Sequence, residues 1–197
     1  MSKYFNKIAD GFDMLDLQVA LRRMPGLFGK YKDRCDPKGP HHESEDIWVR
    51  YNKREAVDAC GEQVLNSEHP ANGPHRPVWY PAYYQLPQLR RIIFSLMSMV
   101  EGEELGTVLL VKLEPGKQVY PHTDAGWSAG YYEKYFIPVQ TAPGSVFNFP
   151  DGTIYPVPGE AYWFDNSVPH NYENHSNQDT IMLIVTIRSD VVPGATG

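Results

Sequence analysis

From Gly106 to Arg188 the chain breaks into short segments rich in β-branched and aromatic residues, and this density of strands limits the fold more than any other feature. TVLLVKL, YFIPVQ, SVFNF, TIYPV, EAYWF and TIMLIVTIR each read as a strand. Turn residues separate them. Phe149-Pro150-Asp151-Gly152-Thr153 reads as a hairpin with Asp-Gly as its turn, and Pro158-Gly159 as a second turn. Strands this closely spaced form a sandwich or barrel. The expectation is an α+β fold with a jelly-roll core and helices packed on one sheet.

At 197 residues the chain suits one domain with a sizeable core. Residues 1–105 read as its helical and irregular part, and 106–190 as the jelly-roll core. Within the first part, residues 11–29 have helical spacing that stops at Pro25-Gly26. From Pro87 onward Leu89, Ile92, Ile93, Leu96 and Met99 form one face of an amphipathic helix ending near Glu101-Gly102. DIWVRY (46–51) has strand composition, whereas 33–45 and 52–77 read as loop or irregular chain.

The net charge of −6 argues against broad binding to nucleic acid, which wants a basic face, and Arg90-Arg91 is too short a cluster to change that. No apolar run approaches the roughly 18 residues needed to cross a bilayer, and MSKYFNKIADGFDMLD has no apolar core of a secretory signal. Cys35 and Cys60 do not have metal-ligand spacing. Free thiols in a reducing compartment, and hence a cytoplasmic protein, are expected. The partner is a small-molecule or a peptide or protein substrate; the oligomeric state is open.

Two stretches carry chemistry. LEPGKQVYPHTD supplies His122 and Asp124, and WFDNSVPH supplies His170. Residues two apart on an extended chain share a face, so an imidazole and a carboxylate converge and a later strand adds a second imidazole. Two histidines and one carboxylate on one side of a metal, with the other positions open, is the ligand set of non-haem Fe(II) oxygenases. A lone His-x-Asp recurs by chance; the second histidine after a set of jelly-roll strands favours a metal. His41, His42, His69, His75 and His175 lie in polar, loop-like settings and are expected to be solvated. Asn166 and Asn171 flank the ligand segment as candidates to orient ligand or cosubstrate, although capping a turn is the commoner role of Asn. Tyr120, Trp127 and Trp163 are the candidates to line the substrate mouth.

The run PGKQVYPHTD, with YFIPVQ and GEAYWFDNSVPHNYEN, resembles the aspartyl/asparaginyl β-hydroxylase family of 2-oxoglutarate-dependent oxygenases. The resemblance covers about two-thirds of the chain. It implies a double-stranded β-helix binding Fe(II) and 2-oxoglutarate, with His122, Asp124 and His170 as ligands. The implied activity is hydroxylation of a C–H bond in an amino-acid side chain or a small metabolite. A carboxylate at Asp124 argues against a halogenase, which needs that position vacant. The chain departs from the family where the cosubstrate's distal carboxylate should be held. The usual Arg ten residues after the last ligand is Thr180, and the usual Arg-x-His pair is Lys134-Tyr135-Phe136. Lys134, helped by Thr180, is the favoured anchor, and Arg188 at the end of the last strand is the other cation. Two other readings stay open: a cupin-like metal enzyme that does not use 2-oxoglutarate, and a non-catalytic jelly-roll binding protein.

Overall fold

A computed structural model describes residues 2–57, 63–65 and 76–189. Eight strands from β6 onward build the core: β6 (Glu104–Leu113), β7 (Gln118–His122), β8 (Glu133–Gln140), β9 (Ser145–Phe149), β10 (Gly152–Ile154), β11 (Ala161–Phe164), β12 (His170–Asn174) and β13 (Thr180–Arg188). The chain passes repeatedly between two facing sheets. One has the order β11-β8-β13-β6 at its centre, and the other is β10-β9-β12-β7. This is a double-stranded β-helix.

The side-chain pattern of β13 explains why its strand is apolar throughout. Ile181, Leu183, Val185 and Ile187 face outward into a cluster with the helices, whereas Met182 and Ile184 face inward between the sheets. Covered on both faces, such a strand reads as a continuous apolar run rather than an alternating one. The inner space is filled mainly by aromatic rings: Phe136, Phe147, Phe149, Phe164 and Tyr172 are all buried there.

The first hundred residues contribute more sheet than their sequence suggests. β1 (Phe5–Ala9) pairs with β11 at one edge. β2 (Glu45–Asn52), which contains DIWVRY, pairs with β6 at the other edge and carries β5 (Pro77–Trp79) beyond it. The larger sheet therefore has seven strands, β1-β11-β8-β13-β6-β2-β5. A short hairpin, β3 (Arg54–Val57) and β4 (Gln63–Leu65), lies within the stretch read as irregular.

Helix α1 (Leu15–Arg23), the single-turn α2 (Pro81–Gln85) and α3 (Gln88–Met99) cover the outer face of this sheet. On α3, Leu89, Ile92, Ile93 and Leu96 are buried, each contributing about 1.5–3 kcal/mol. Met99, expected on the same face, is exposed, and Val100 takes the buried position instead. Helix α4 (Trp127–Tyr131) caps the gap after β7, entered through Gly126 at φ 89°, a left-handed value that favours glycine. No helix among the described residues is long and apolar enough to cross a membrane.

The β9–β10 turn differs by one residue from its expected position. Phe149 pairs with Gly152, so the turn residues are Pro150-Asp151 and Gly152 already belongs to β10. Proline presets the backbone of the first turn residue. Gly152 serves packing instead, since a Cβ there would stand 3.3 Å from the Phe5 ring. Cys60, His69 and His75 lie outside the described residues; Cys35 Sγ lies 3.7 Å from Ser44 Oγ.

Candidate metal centre

The centre begins with an irregularity in the β7–β12 pairing. His122 pairs with His170 and Val119 with Tyr172, so Tyr120 and Pro121 together oppose Asn171. This extra residue is a β-bulge, and Pro121 suits it because it has no N–H to give to the ladder. The bulge brings His122 back to the inner face that Val119 occupies. The His122 and His170 rings then face each other with centroids 4.5 Å apart.

Both imidazoles are fixed in the same manner. His122 Nδ1 donates to the Tyr120 carbonyl at 2.7 Å, and His170 Nδ1 to the Val168 carbonyl at 2.9 Å. A carbonyl only accepts, so Nδ1 carries the proton and each Nε2 offers a lone pair to the centre. Asp124 is held by its backbone N–H on the Asn166 carbonyl, 2.9 Å, and by Asn166 Nδ2 and Lys134 Nζ, which both donate to Oδ2. Its other oxygen, Oδ1, lies 3.5 Å from His122 Nε2. One ligand atom from each of His122, Asp124 and His170 lies within 4.8 Å of the others.

The donor set fits a divalent metal. His122 Nε2 is buried without a hydrogen-bond partner, an arrangement that costs about 1–3 kcal/mol unless something takes the lone pair. Burial, then the nearby Lys134 charge, lowers the His170 pKa to about 4, so this imidazole is neutral at pH 7. Burial opposes the charge of Asp124, but Lys134, His122 and His170 outweigh it and hold the carboxyl well below the usual carboxylate range. A neutral imidazole and an ionised carboxylate are ligand forms that such an ion needs.

A cavity of about 200 Å³ opens from His122, Asp124 and His170 into the space between the sheets. Two cations stand on its wall, Lys134 on β8 and Arg34 on the segment before β2. Arg34 pairs with the fully buried Asp46 of β2, and its Nη2 lies 3.2 Å from His41 Nε2. The His41 ring in turn packs edge-on against His122 at 4.8 Å. His41 is thus part of the centre, contrary to the expectation that it is solvated. The chain from Arg34 to Glu45 is strapped along the free edge of β7, where Tyr120 N donates to the Pro40 carbonyl and Gln118 N to Glu43. His42 and His175 are at the surface as expected.

Several expected site residues stand elsewhere. Thr180 is buried at the start of β13, but Lys134 pairs with Thr186, six residues along the strand. At about 3.3 Å per residue these two groups are about 20 Å apart along the sheet and cannot share one carboxylate. Arg188 lies against the Tyr131 ring and 3.8 Å from Glu103, outside the cavity. Asn171, one residue from His170, faces the opposite side of its strand and donates to Glu173. Tyr120 stacks on His42, Trp127 on Tyr131, and Trp163 donates to Glu133. None of these three rings lines the cavity. Asn166, by contrast, is at the centre and donates from Nδ2 to Asp124 Oδ2 at 3.2 Å.

Histidines held neutral in the fold predict acid sensitivity. Burial, reinforced by Arg34, pushes His41 far below its ordinary pKa, and His170 titrates at about 4 against 6.5 when unfolded. Because the unfolded chain takes up these protons first, their contribution is complete above pH 6.5 and is lost as pH falls toward 4. Each histidine adds about 1.4 kcal/mol per pH unit to the slope in that window. Urea unfolding of the metal-free protein at pH 7, 5.5 and 4.5 measures it, and His41→Gln is expected to flatten the slope.

Similarity to known proteins agrees with this picture. A viral collagen prolyl hydroxylase from Paramecium Bursaria Chlorella virus-1, solved as a 2OG complex, superposes with a TM-score of 0.55 at 16% identity, covering 95% of this chain and 97% of that one. An oxidoreductase of the 2OG-Fe(II) oxygenase family from Burkholderia pseudomallei gives 0.53 at 14% identity, covering 89% and 90%. At such identities the likeness is one of fold. No curated protein matches the sequence. Residues 78–190, more than half of the chain and including His122, Asp124 and His170, match the model of the aspartyl/asparaginyl beta-hydroxylase family, and the chain belongs to that family.

Proposed function

We propose that this protein is an Fe(II)- and 2-oxoglutarate-dependent dioxygenase that hydroxylates a C–H bond of an amino-acid side chain, in a protein, a peptide or a free amino acid, or of a small metabolite. The observation that carries the reading is the convergence of His122, Asp124 and His170, with His122 Nε2 left without a partner. Fe(II) with 2-oxoglutarate, when bound, supplies the oxidising power: O₂ is reduced as 2-oxoglutarate becomes succinate and CO₂, and one oxygen atom goes to the substrate.

The protein's part is to hold, orient and exclude water. Tyr120 and Val168 carbonyls fix the two imidazoles, and Asn166 fixes the carboxylate. Phe149, Phe164 and Phe147 surround His170 with centroids at 6.2, 5.2 and 6.0 Å and keep bulk water from that side. Charge balance also favours a dianionic cosubstrate. Lys134 and Arg34 offset Asp124 and Asp46, so a divalent ion leaves the wall with two excess positive charges. A dicarboxylate neutralises them. In the unloaded protein Lys134 occupies Asp124 Oδ2, and a metal competes with it for the carboxylate.

Succinate formed from 2-oxoglutarate in the presence of Fe(II), across panels of amino acids, peptides and small acids, tests the reading. Turnover no higher than that of His122→Ala would refute it. A metal enzyme that does not use 2-oxoglutarate is the second reading, favoured by Thr180 at the usual arginine position. Calorimetry with Mn(II) and 2-oxoglutarate separates the two. The competition at Asp124 makes its own prediction: Lys134→Met is expected to raise Mn(II) affinity about tenfold, equivalent to about 1.4 kcal/mol, while lowering the stability of the metal-free protein.

A further inference from the structure

The family's arginine is missing from β13, Thr180 and Lys134 are too far apart to replace it together, and yet a buried guanidinium stands on the cavity wall. We propose that Arg34, delivered by the strap along β7, is the anchor for the distal carboxylate of the 2-oxo acid. This rests on the function proposed above and assigns the group that determines which 2-oxo acid is taken.

The placement of Arg34 along the sheet supports this. Its partner Asp46 pairs with Val111, which pairs with Met182, and this level lies toward the Thr180 end of the barrel. Lys134 lies at the level of Thr186, toward the opposite end, where α4 and the Asp124 loop open. The Thr180 end is closed by the turn after β12, in which Asn174 Nδ2 donates to the carbonyls of Leu113 and Gln178. A five-carbon acid with its 2-oxo end on the ligands has to send its far carboxylate into the barrel, toward the level of Arg34 rather than that of Lys134.

Arg34 also has the capacity. A guanidinium carries five N–H donors. Nη1 donates to Asp46 and Nη2 contacts His41, which leaves donors for a carboxylate. Asp46 fixes the orientation of the fork without exhausting it, and a single imidazole, His41, separates it from the ligand His122.

The test is a binding cycle on Mn(II)-loaded protein, read by calorimetry with 2-oxoglutarate and with 2-oxovalerate, which has a methyl group in place of the distal carboxylate. Wild type is expected to prefer 2-oxoglutarate by roughly 10- to 150-fold, the worth of a charged hydrogen bond. That preference should collapse to about threefold or less in Arg34→Gln/Asp46→Asn, which removes both charges together so that neither is left buried alone. Arg34→Lys keeps the charge but not the fork and should fall between. A purely structural role for Arg34 would weaken both acids equally and leave the preference intact, which overturns the proposal. Collapse in Lys134→Met instead of the Arg34 variants also overturns it. If neither acid binds in a Mn(II)-dependent way, the oxygenase reading itself fails; if both bind and the Arg34 variants keep the preference, only this inference fails.

Discussion

His170→Ala is expected to leave the protein folded but without its metal: iron falls from about one per chain to a trace, and succinate formation drops by roughly a thousandfold or more, since the ion supplies the chemistry. His170 enters from β12 with its Nδ1 already committed to Val168, so no neighbour can rotate in to replace its Nε2. His122→Ala should match it, as its Nε2 is the buried atom with no other partner. Asn166→Ala is the informative contrast. Asn166 only steadies Asp124, which retains Lys134 and a backbone N–H, and an orienting partner of this kind is worth about 10- to 100-fold in affinity or activity. Metal content by elemental analysis, measured beside succinate yield, checks the order. Iron retained in His170→Ala at the wild-type level would remove the triad from the account.

The three candidate ligands could be picked out of the sequence because each is declared locally. His122 and Asp124 sit two apart after a proline, and His170 follows another, so short-range geometry suffices. Even so, the convergence depends on something the sequence does not announce, the bulge at Tyr120-Pro121 that returns His122 to the inner face. The jelly-roll strands were readable for a similar reason, since their turns are dense with Pro and Gly. β1 was not, because FNKIA is a short edge strand with two exposed positions and no alternation to reveal it. The neighbours of the centre were hidden for a different reason. Arg34 and His41 precede a strand and look like any polar loop; only the tertiary wrap along β7 brings them to His122. One signal was available. The alternation of β2 turns Asp46 and Trp48 inward, and an inward carboxylate demands a cation. Alternation likewise places Asn171 on the outer face, and the length of β13 separates Thr180 from Lys134. Residue type alone suggested Asn171 and the Lys134–Thr180 pair; strand geometry turns the first away from the cavity and holds the other two apart.

The same buried pair sets the largest stability effect expected outside the aromatic core. Asp46 has no exposed surface and Arg34 retains little, so Asp46→Ala strands a guanidinium in a low-dielectric wall. Burial works against the Arg34 charge, and the Asp46 carboxylate is the foremost of the groups that offset it, ahead of Tyr51, Cys35 and the more distant Asp124; without Asp46 the largest offset is gone. Breaking such a pair from one side costs about 3–5 kcal/mol, a large part of the roughly 5–15 kcal/mol that holds a domain folded, and the melting temperature should fall by about 10 °C. Replacing both partners with apolar residues of similar size, as in Arg34→Met/Asp46→Leu, should recover most of the loss, because a buried ion pair offsets its own desolvation only narrowly. Thermal melts of the single and double variants give the coupling directly. If the double variant is as stable as wild type and yet no longer distinguishes 2-oxoglutarate from 2-oxovalerate, the pair is kept for binding rather than for folding. If instead Asp46→Ala melts with wild type, Arg34 has found water or another anion, and the closed wall drawn around it is wrong.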